Sequence, residues 1–173
     1  NNYLFGIYFL IFYFILTTCY TAFFKKLFLL DVLVLTSFYI LRIYYGGMLF
    51  DINVSISLYM FSYSFFLGLS ILKRISNEGY NKNHGLLKNI FFVSMLISFT
   101  VLILYIFSDK PSVIYNNKNF LFLCVLILLI WVIQLYIDVI KKLVKIDPVN
   151  YCIKSKKSWF LLANIIFFYY LSY

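Results

Sequence analysis

The stretch DVLVLTSFYILRIYYGG, residues 31–47, is almost wholly apolar, yet it opens on a carboxylate and carries a guanidinium at Arg42. At 1.5 Å per helical residue, Asp31 and Arg42 lie about 16 Å apart along one helix axis. The run reads as membrane-spanning, and a charge inside hydrocarbon costs at least ~3 kcal/mol on insertion scales. Residues of this kind are buried in protein, paired, or in contact with a polar ligand. Asp31 and Arg42 are too far apart to pair with each other. Each is expected to face inward as part of a polar pocket wall, and Arg42 to have a buried acceptor.

The rest of the chain has the same character. Of 173 residues 64% are hydrophobic and 12% charged, and the mean hydropathy is +0.94. A soluble domain is about 45–50% apolar and ~25% charged, so this is the composition of an integral membrane protein. Its 23% aromatic residues accompany abundant Ile, Asn and Lys. These types share AT-rich codons, so the aromatic wealth is not read as a stacking surface. Marked off by their polar breaks, six apolar runs approach the ~20 residues needed to span a bilayer: 3–24, 27–49, 55–72, 88–107, 119–140 and 158–173. The fold expected is all-α, a polytopic transmembrane helix bundle forming one domain over 1–173. The first run lacks the basic flank and cleavage site of a signal peptide and is read as a true span. Because the chain begins with Asn1, it is expected to be a fragment of a longer protein.

Charge distribution gives an orientation. The breaks carrying Lys25 and Lys26, then Lys73, Arg74, Lys82 and Lys88, then Lys141, Lys142, Lys145, Lys154, Lys156 and Lys157 alternate with breaks that carry only Lys110 and Lys118. By the positive-inside rule the three basic connections are cytoplasmic. The net charge of +9 is therefore topological, and nucleic acid is excluded as a partner.

Other chemistry is sparse. Cys19, Cys124 and Cys152 form no C-x-x-C pair, so neither a disulfide framework nor a zinc site is indicated. His84 is the single histidine and reads as a solvated loop residue. There is no P-loop and no Gly-rich dinucleotide turn. Gly46-Gly47 reads as close packing or a bend. Lys25 and Lys73 each have a plain alternative role as anchors that snorkel to the headgroups. Asp31 could simply favour a helix N-terminus.

In combination these polar residues carry more. CYTAFFKKLFLLDVLVLTSFYILRIYYGG (19–47), followed by VSISLYMFSYSFFLGLSILKR (54–74), resembles the UbiA-type prenyltransferase superfamily. The nearer likeness is to its decaprenyl-phosphate phosphoribosyltransferase branch. Tyr20, Lys25, Asp31, Arg42, Gly46, Ser55, Lys73 and Arg74 fall in order on that branch's motif positions. DPVNYCIKSKKSW (147–159) is similar to the stretch before its last helix.

The resemblance implies a nine-helix fold of which this chain would be the last six, in a bacterial inner membrane with the basic loops cytoplasmic. It implies attack of a polyprenyl phosphate on phosphoribosyl diphosphate, within a bilayer of membrane lipids. Tyr20, Lys25, Asp31, Arg42, Lys73 and Arg74 would then bind substrate and phosphate, and Mg²⁺ would be the cofactor. Two departures stand out. The acidic residue expected four positions after Lys73 is Asn77, with Glu78 one later as the metal candidate. The aspartate-rich Mg²⁺ motif has no counterpart, because the six acidic residues are widely scattered. Two alternatives stay open. One is a prenyltransferase of the same fold acting on a polyprenyl diphosphate lipid and an aromatic or quinone acceptor, against which the Lys73-Arg74 pair argues. The other is a non-catalytic remnant, or one half of an enzyme whose N-terminal half is separate.

Overall fold

In a computed structural model, which describes residues 2–23, 28–78, 84–108, 115–141, 144 and 148–172, every described element is an α-helix. The order is α1 (Asn2–Ala22), α2 (Phe28–Leu49), α3 (Ile56–Glu78), α4 (His84–Phe107), α5 (Lys118–Ile140), α6 (Pro148–Lys154) and α7 (Lys156–Ser172). Four are long and apolar enough to cross a membrane, over Leu30–Leu49, Ile56–Ser76, Gly85–Phe107 and Lys118–Ile140. They coincide with four of the six runs read from the sequence. The remaining two runs fall on α1, whose apolar stretch covers Gly6–Ala22, and on the 17-residue α7.

Consecutive long helices pack antiparallel. Tyr13 of α1 meets Phe38 of α2 edge-on at 5.6 Å, and Tyr39 of α2 stacks on Phe66 of α3 at 4.1 Å. Phe91 of α4 stacks on Tyr136 of α5 at 5.2 Å, and Phe120 of α5 lies 6.3 Å from Phe168 of α7. Helix α3 is central, with its largest interface on α4 and another on α2. The core joins Phe65, Ile71, Leu72 and Ile75 of α3 to Leu87, Phe91, Met95 and Phe99 of α4 and to Val132, Leu135 and Val139 of α5.

Lipid tails are as apolar as leucine, so helices in a bilayer associate through close backbone approach at small residues. The α3–α4 seam is built this way. Gly68 lies against Ser94 and Met95, where an added Cβ would sit 2.5 Å from Met95 Cε. Ser62, Ser64, Ser70, Ser94 and Ser98 are all buried. Ser64 Oγ donates to the Met60 carbonyl at 2.8 Å and Ser94 Oγ to that of Phe91 at 2.8 Å, which satisfies them within their own helices.

Antiparallel packing gathers the basic helix ends at one end of the bundle, with α6. Two expectations change there. Lys73 and Arg74 lie inside α3, which continues to Glu78 because Ile71, Leu72 and Ile75 extend its buried stripe past the charges. Likewise Lys88 belongs to the first turns of α4. The connection expected over 140–157 contains a further helix, α6, which Pro148 opens, a position where its missing N–H costs nothing.

Candidate functional site at the basic end

Three helices meet on one carboxylate. Asp31, in the first turn of α2, accepts a hydrogen bond from the Tyr20 hydroxyl near the end of α1. Its other oxygen accepts from Arg74 Nη1 of α3 at 3.1 Å. The side chains of Arg74 and Asp31 are only 16% and 14% exposed. A charge-assisted bond of this kind is stronger than a neutral one and fixes the guanidinium against the α1–α2 hairpin. Ser76, two residues on, donates to the Val144 carbonyl at 2.9 Å and ties the connection after α5 to the same end of α3.

Beside this cluster, the Tyr151 hydroxyl of α6 donates to Asp138 Oδ2 of α5 at 3.1 Å. Burial, followed by that bond and the Asp138 charge, raises the Tyr151 phenol above its ordinary range. Burial also pushes the neighbouring Cys152 thiol up, against a lowering hydrogen bond with Ser158. Tyr151 thus pins α6 to the end of α5, and Cys152 meets Ser158 of α7.

Arg42 is elsewhere. It lies about 16 Å further along α2, where its Nε and Nη2 donate to the Tyr13 hydroxyl at 3.0 and 2.7 Å. Its guanidinium also sits 5.6 and 5.5 Å from the Tyr13 and Tyr39 ring centroids. The Arg42 side chain is exposed, and its acceptor is the half-buried Tyr13 phenol rather than a buried group on an inward wall. Since Tyr13 faces Phe38 across the hairpin, Arg42 reaches back toward the N-terminus of α2, the direction helical side chains lean.

The structure thus brings together Tyr20, Asp31 and Arg74 and leaves Arg42 apart. Lys73 precedes Arg74 in α3. Lys25 and the side chain of Glu78 lie outside the described residues. Among the described residues no group of three or more His, Cys, Asp or Glu side chains comes together, and both Asp31 oxygens already accept bonds. Mg²⁺ is usually bound through one or two carboxylates, with waters and substrate phosphates completing the octahedron, and in this cluster Asp31 is the carboxylate that could contribute.

A second feature lies at the bend that Gly46-Gly47 marks in the sequence. At the opposite end, a cavity of about 670 Å³ is lined by Tyr44, Tyr45, Asp51, Asn53 and Tyr59 among others. It forms where the chain turns back after α2, with Ile52 N–H donating to the Gly47 carbonyl at 2.9 Å and Asp51 at φ 52°. Gly47 is required there, since an added Cβ would lie 2.7 Å from Val54 Cγ2. Around Gly46 there is open space, so the glycine in the resemblance has no steric role. The dipeptide was the only sequence signal for this turn.

Over 175 residues the chain is 27% identical to the uncharacterized protein y4nM of Sinorhizobium fredii (strain NBRC 101917 / NGR234), in a match covering 88% of this chain and 33% of that protein. The chain spans about a third of the length of this relative. No protein-family model matches the chain. No solved structure matches it either.

Proposed function

We propose that the chain is the membrane-embedded, cation-bearing part of a UbiA-type transferase that moves phosphoribose from phosphoribosyl diphosphate to a polyprenyl phosphate. One observation carries this reading: Tyr20, Asp31 and Arg74, which the resemblance names together, lie on three helices and meet at the basic end. Tyr20 and Asp31 flank one helix connection, but Arg74 is 43 residues from Asp31 and reaches it from a third helix. In the reaction proposed, a phosphate oxygen of the lipid attacks C1 of the ribose, and the bond from C1 to the diphosphate breaks to release pyrophosphate. Negative charge develops on the leaving oxygens, and preorganised cations oppose it at little reorganisation cost. Asp31 orients the Arg74 guanidinium, and Lys73 lies beside it on the same helix end. The long helices hold the isoprenoid, and the basic end receives the water-soluble sugar.

With α1 and α7 counted as spans, the chain crosses the membrane six times with the basic end cytoplasmic. The described residues supply cations but no carboxylate cluster, and the curated relative is about three times as long. The complete activity is accordingly assigned to a longer protein. To test it, membranes carrying the natural gene product are incubated with labelled phosphoribosyl diphosphate and polyprenyl phosphate. Label entering the lipid fraction, and lost with Arg74→Ala, is the expected result. No transfer would remove the catalytic reading, whereas prenyl transfer to an aromatic acceptor would move the protein to the other branch. Residues 1–173 alone are expected to give no product.

A further inference from the structure

We propose that the cleft between α5, α6 and α7 is a binding site for an anionic phospholipid of the bilayer, separate from the Asp31 cluster. The cleft has a volume of about 230 Å³ and a wall that is apolar apart from Ser158, formed chiefly by Leu128 and Trp131 of α5, Ile153 of α6, and Trp159, Leu162 and Ile165 of α7. It lies within the length of α5 and α7 toward the bilayer, so its occupant is hydrocarbon. At its basic-end mouth the chemistry reverses. Lys154, Lys156 and Lys157 directly flank the lining residues Ile153 and Ser158, and all three are exposed. Across 141–157 the sequence carries six lysines against the one carboxylate of Asp147. Polybasic segments next to a span favour anionic headgroups. An apolar slot capped by cations on one side matches a molecule with a negative head and an apolar chain.

The cleft is also held open in a defined shape. Trp159 Nε1 donates to the Ile153 carbonyl at 2.8 Å, and this bond spans the α6–α7 junction at the mouth. Ser155 Oγ accepts from the Ser158 N–H at 3.4 Å, and Tyr151 holds α6 on Asp138. Exposed Ile153 and Trp159 beside exposed lysines form the mixed edge found at headgroup level, where tryptophan is enriched. A soluble phosphate would use the lysines but not the slot, and a zwitterionic lipid would use the slot but not the lysines.

The chain's own fluorescence can test this, because Trp131 and Trp159 are its two tryptophans and both line the cleft. The full chain is reconstituted in phosphatidylcholine vesicles containing phosphatidylglycerol with brominated acyl chains, or brominated phosphatidylcholine at the same mole fraction. Lysines near the surface each favour anionic lipid, so quenching should report a preference of about tenfold for the brominated phosphatidylglycerol. That preference should fall in 1 M NaCl, where screening shortens to ~3 Å, a measurement that needs no variant. It should also vanish in Lys154→Gln/Lys156→Gln/Lys157→Gln. Equal quenching by the two lipids overturns the proposal, as does a preference that survives removal of the lysines. Relief of quenching by polyprenyl phosphate at levels where unbrominated phosphatidylglycerol gives none would also overturn it, by assigning the cleft to the isoprenoid.

Discussion

Arg74 and Asp31 lie 43 residues apart, yet their side chains meet at 3.1 Å and share the end of the bundle with the Tyr20 hydroxyl. The pair fixes the register of two interfaces at once. It holds α3 against α2 while Asp31 also takes the hydroxyl of α1. At each interface one further pair, Tyr39 with Phe66 and Tyr13 with Phe38, continues the same antiparallel register along the helices.

The first prediction follows from the asymmetry of such pairs. Removing one partner strands a mostly buried charge, which costs about 3 kcal/mol at the lower end of measured values, whereas replacing both with apolar residues is often neutral. Arg74→Ala and Asp31→Leu should each lower thermal stability in detergent, and Asp31→Leu/Arg74→Met should regain most of it. Tyr20→Phe should cost less, since Asp31 keeps its cation. If the double variant is as unstable as the worse single one, the pair is not the coupling between α2 and α3. In the transferase assay the double variant should remain inactive despite its recovered stability, which separates the proposed phosphate role of Arg74 from its structural one.

The second prediction concerns the α3–α4 seam. Ser98 is fully buried, and its hydroxyl has no hydrogen-bond partner among the described residues. An unsatisfied buried hydroxyl costs about 1–3 kcal/mol, so Ser98→Ala should raise the melting temperature. Gly68 behaves in the opposite sense. The atoms nearest an added Cβ are the side-chain ends of Met95 and Ser94 at 2.5 and 2.9 Å. A methyl can displace Met95 Cε, so Gly68→Ala should be tolerated. Gly68→Leu should separate the helices and cost about 1–3 kcal/mol, as overpacking does. Equal stability of the alanine and leucine variants would mean that the seam is looser than its contacts indicate.

The four long spans were legible in the sequence because a run of apolar residues between charged breaks is a one-dimensional signal. The helix ends were less so. Polar composition at 73–78 marks a loop, yet α3 continues there because Ile75 still has α4 and α5 to pack against, a three-dimensional fact. The α6 turn was hidden in a lysine-rich connection for a similar reason: Tyr151 and Cys152 find partners on α5 and α7 that sequence spacing does not reveal. For the site, resemblance brought Tyr20, Asp31 and Arg74 together. Depth along the helix misjudged Arg42, since distance from Asp31 says nothing about which face of α2 the side chain occupies. The cavity around Asp51 left no pattern beyond Gly46-Gly47, because turns closed by backbone bonds need no distinctive side chains.

The third prediction is topological. If the basic end is cytoplasmic, a reporter fused at His84 should be active in the cytoplasmic sense and one at Asn116 in the external sense. The reversed pattern would overturn the orientation. Identical signals at both positions would overturn the crossing of α4.

Chemistry at α6 supplies the fourth. Thiolate is the reacting form of cysteine, and burial raises the Cys152 pKa. In a Cys19→Ser/Cys124→Ser background, iodoacetamide should therefore alkylate Cys152 more slowly at pH 8 than an unfolded peptide thiol, with its rate–pH profile displaced upward. The linkage has a definite sign. A thiol with a raised folded-state pKa contributes stability below its unfolded value, about 8.5, and loses it as pH rises toward the folded value. Tyr151 acts in the same direction from about pH 10. Alkaline pH should loosen α6, and alkylation should accelerate beyond what ionisation alone accounts for. A profile matching the free thiol would show that the α6 junction does not shield Cys152.

The last prediction separates two meanings of Arg42. Its guanidinium is held by a neutral acceptor, the Tyr13 hydroxyl, and lies 5.6 and 5.5 Å from the Tyr13 and Tyr39 ring centroids. In a span, the charge itself is the expensive part, at about 3 kcal/mol near the bilayer centre. Tyr13→Phe keeps the charge and removes its acceptor, so it should lower folded yield and cost about 1–3 kcal/mol. Arg42→Leu removes the charge and leaves only a phenol to be solvated, so its yield should equal or exceed that of the unmodified chain. Tyr13→Phe/Arg42→Leu should then be no worse than Arg42→Leu, because the phenol has lost the partner it served. Yield after detergent extraction and the melting temperature measure both. A loss of stability in Arg42→Leu greater than that in Tyr13→Phe would mean that the arginine serves an acceptor other than Tyr13. An unchanged yield with a lost transfer rate would instead mark Arg42 as a residue retained for its charge, its bonds to Tyr13 of α1 being dispensable for folding.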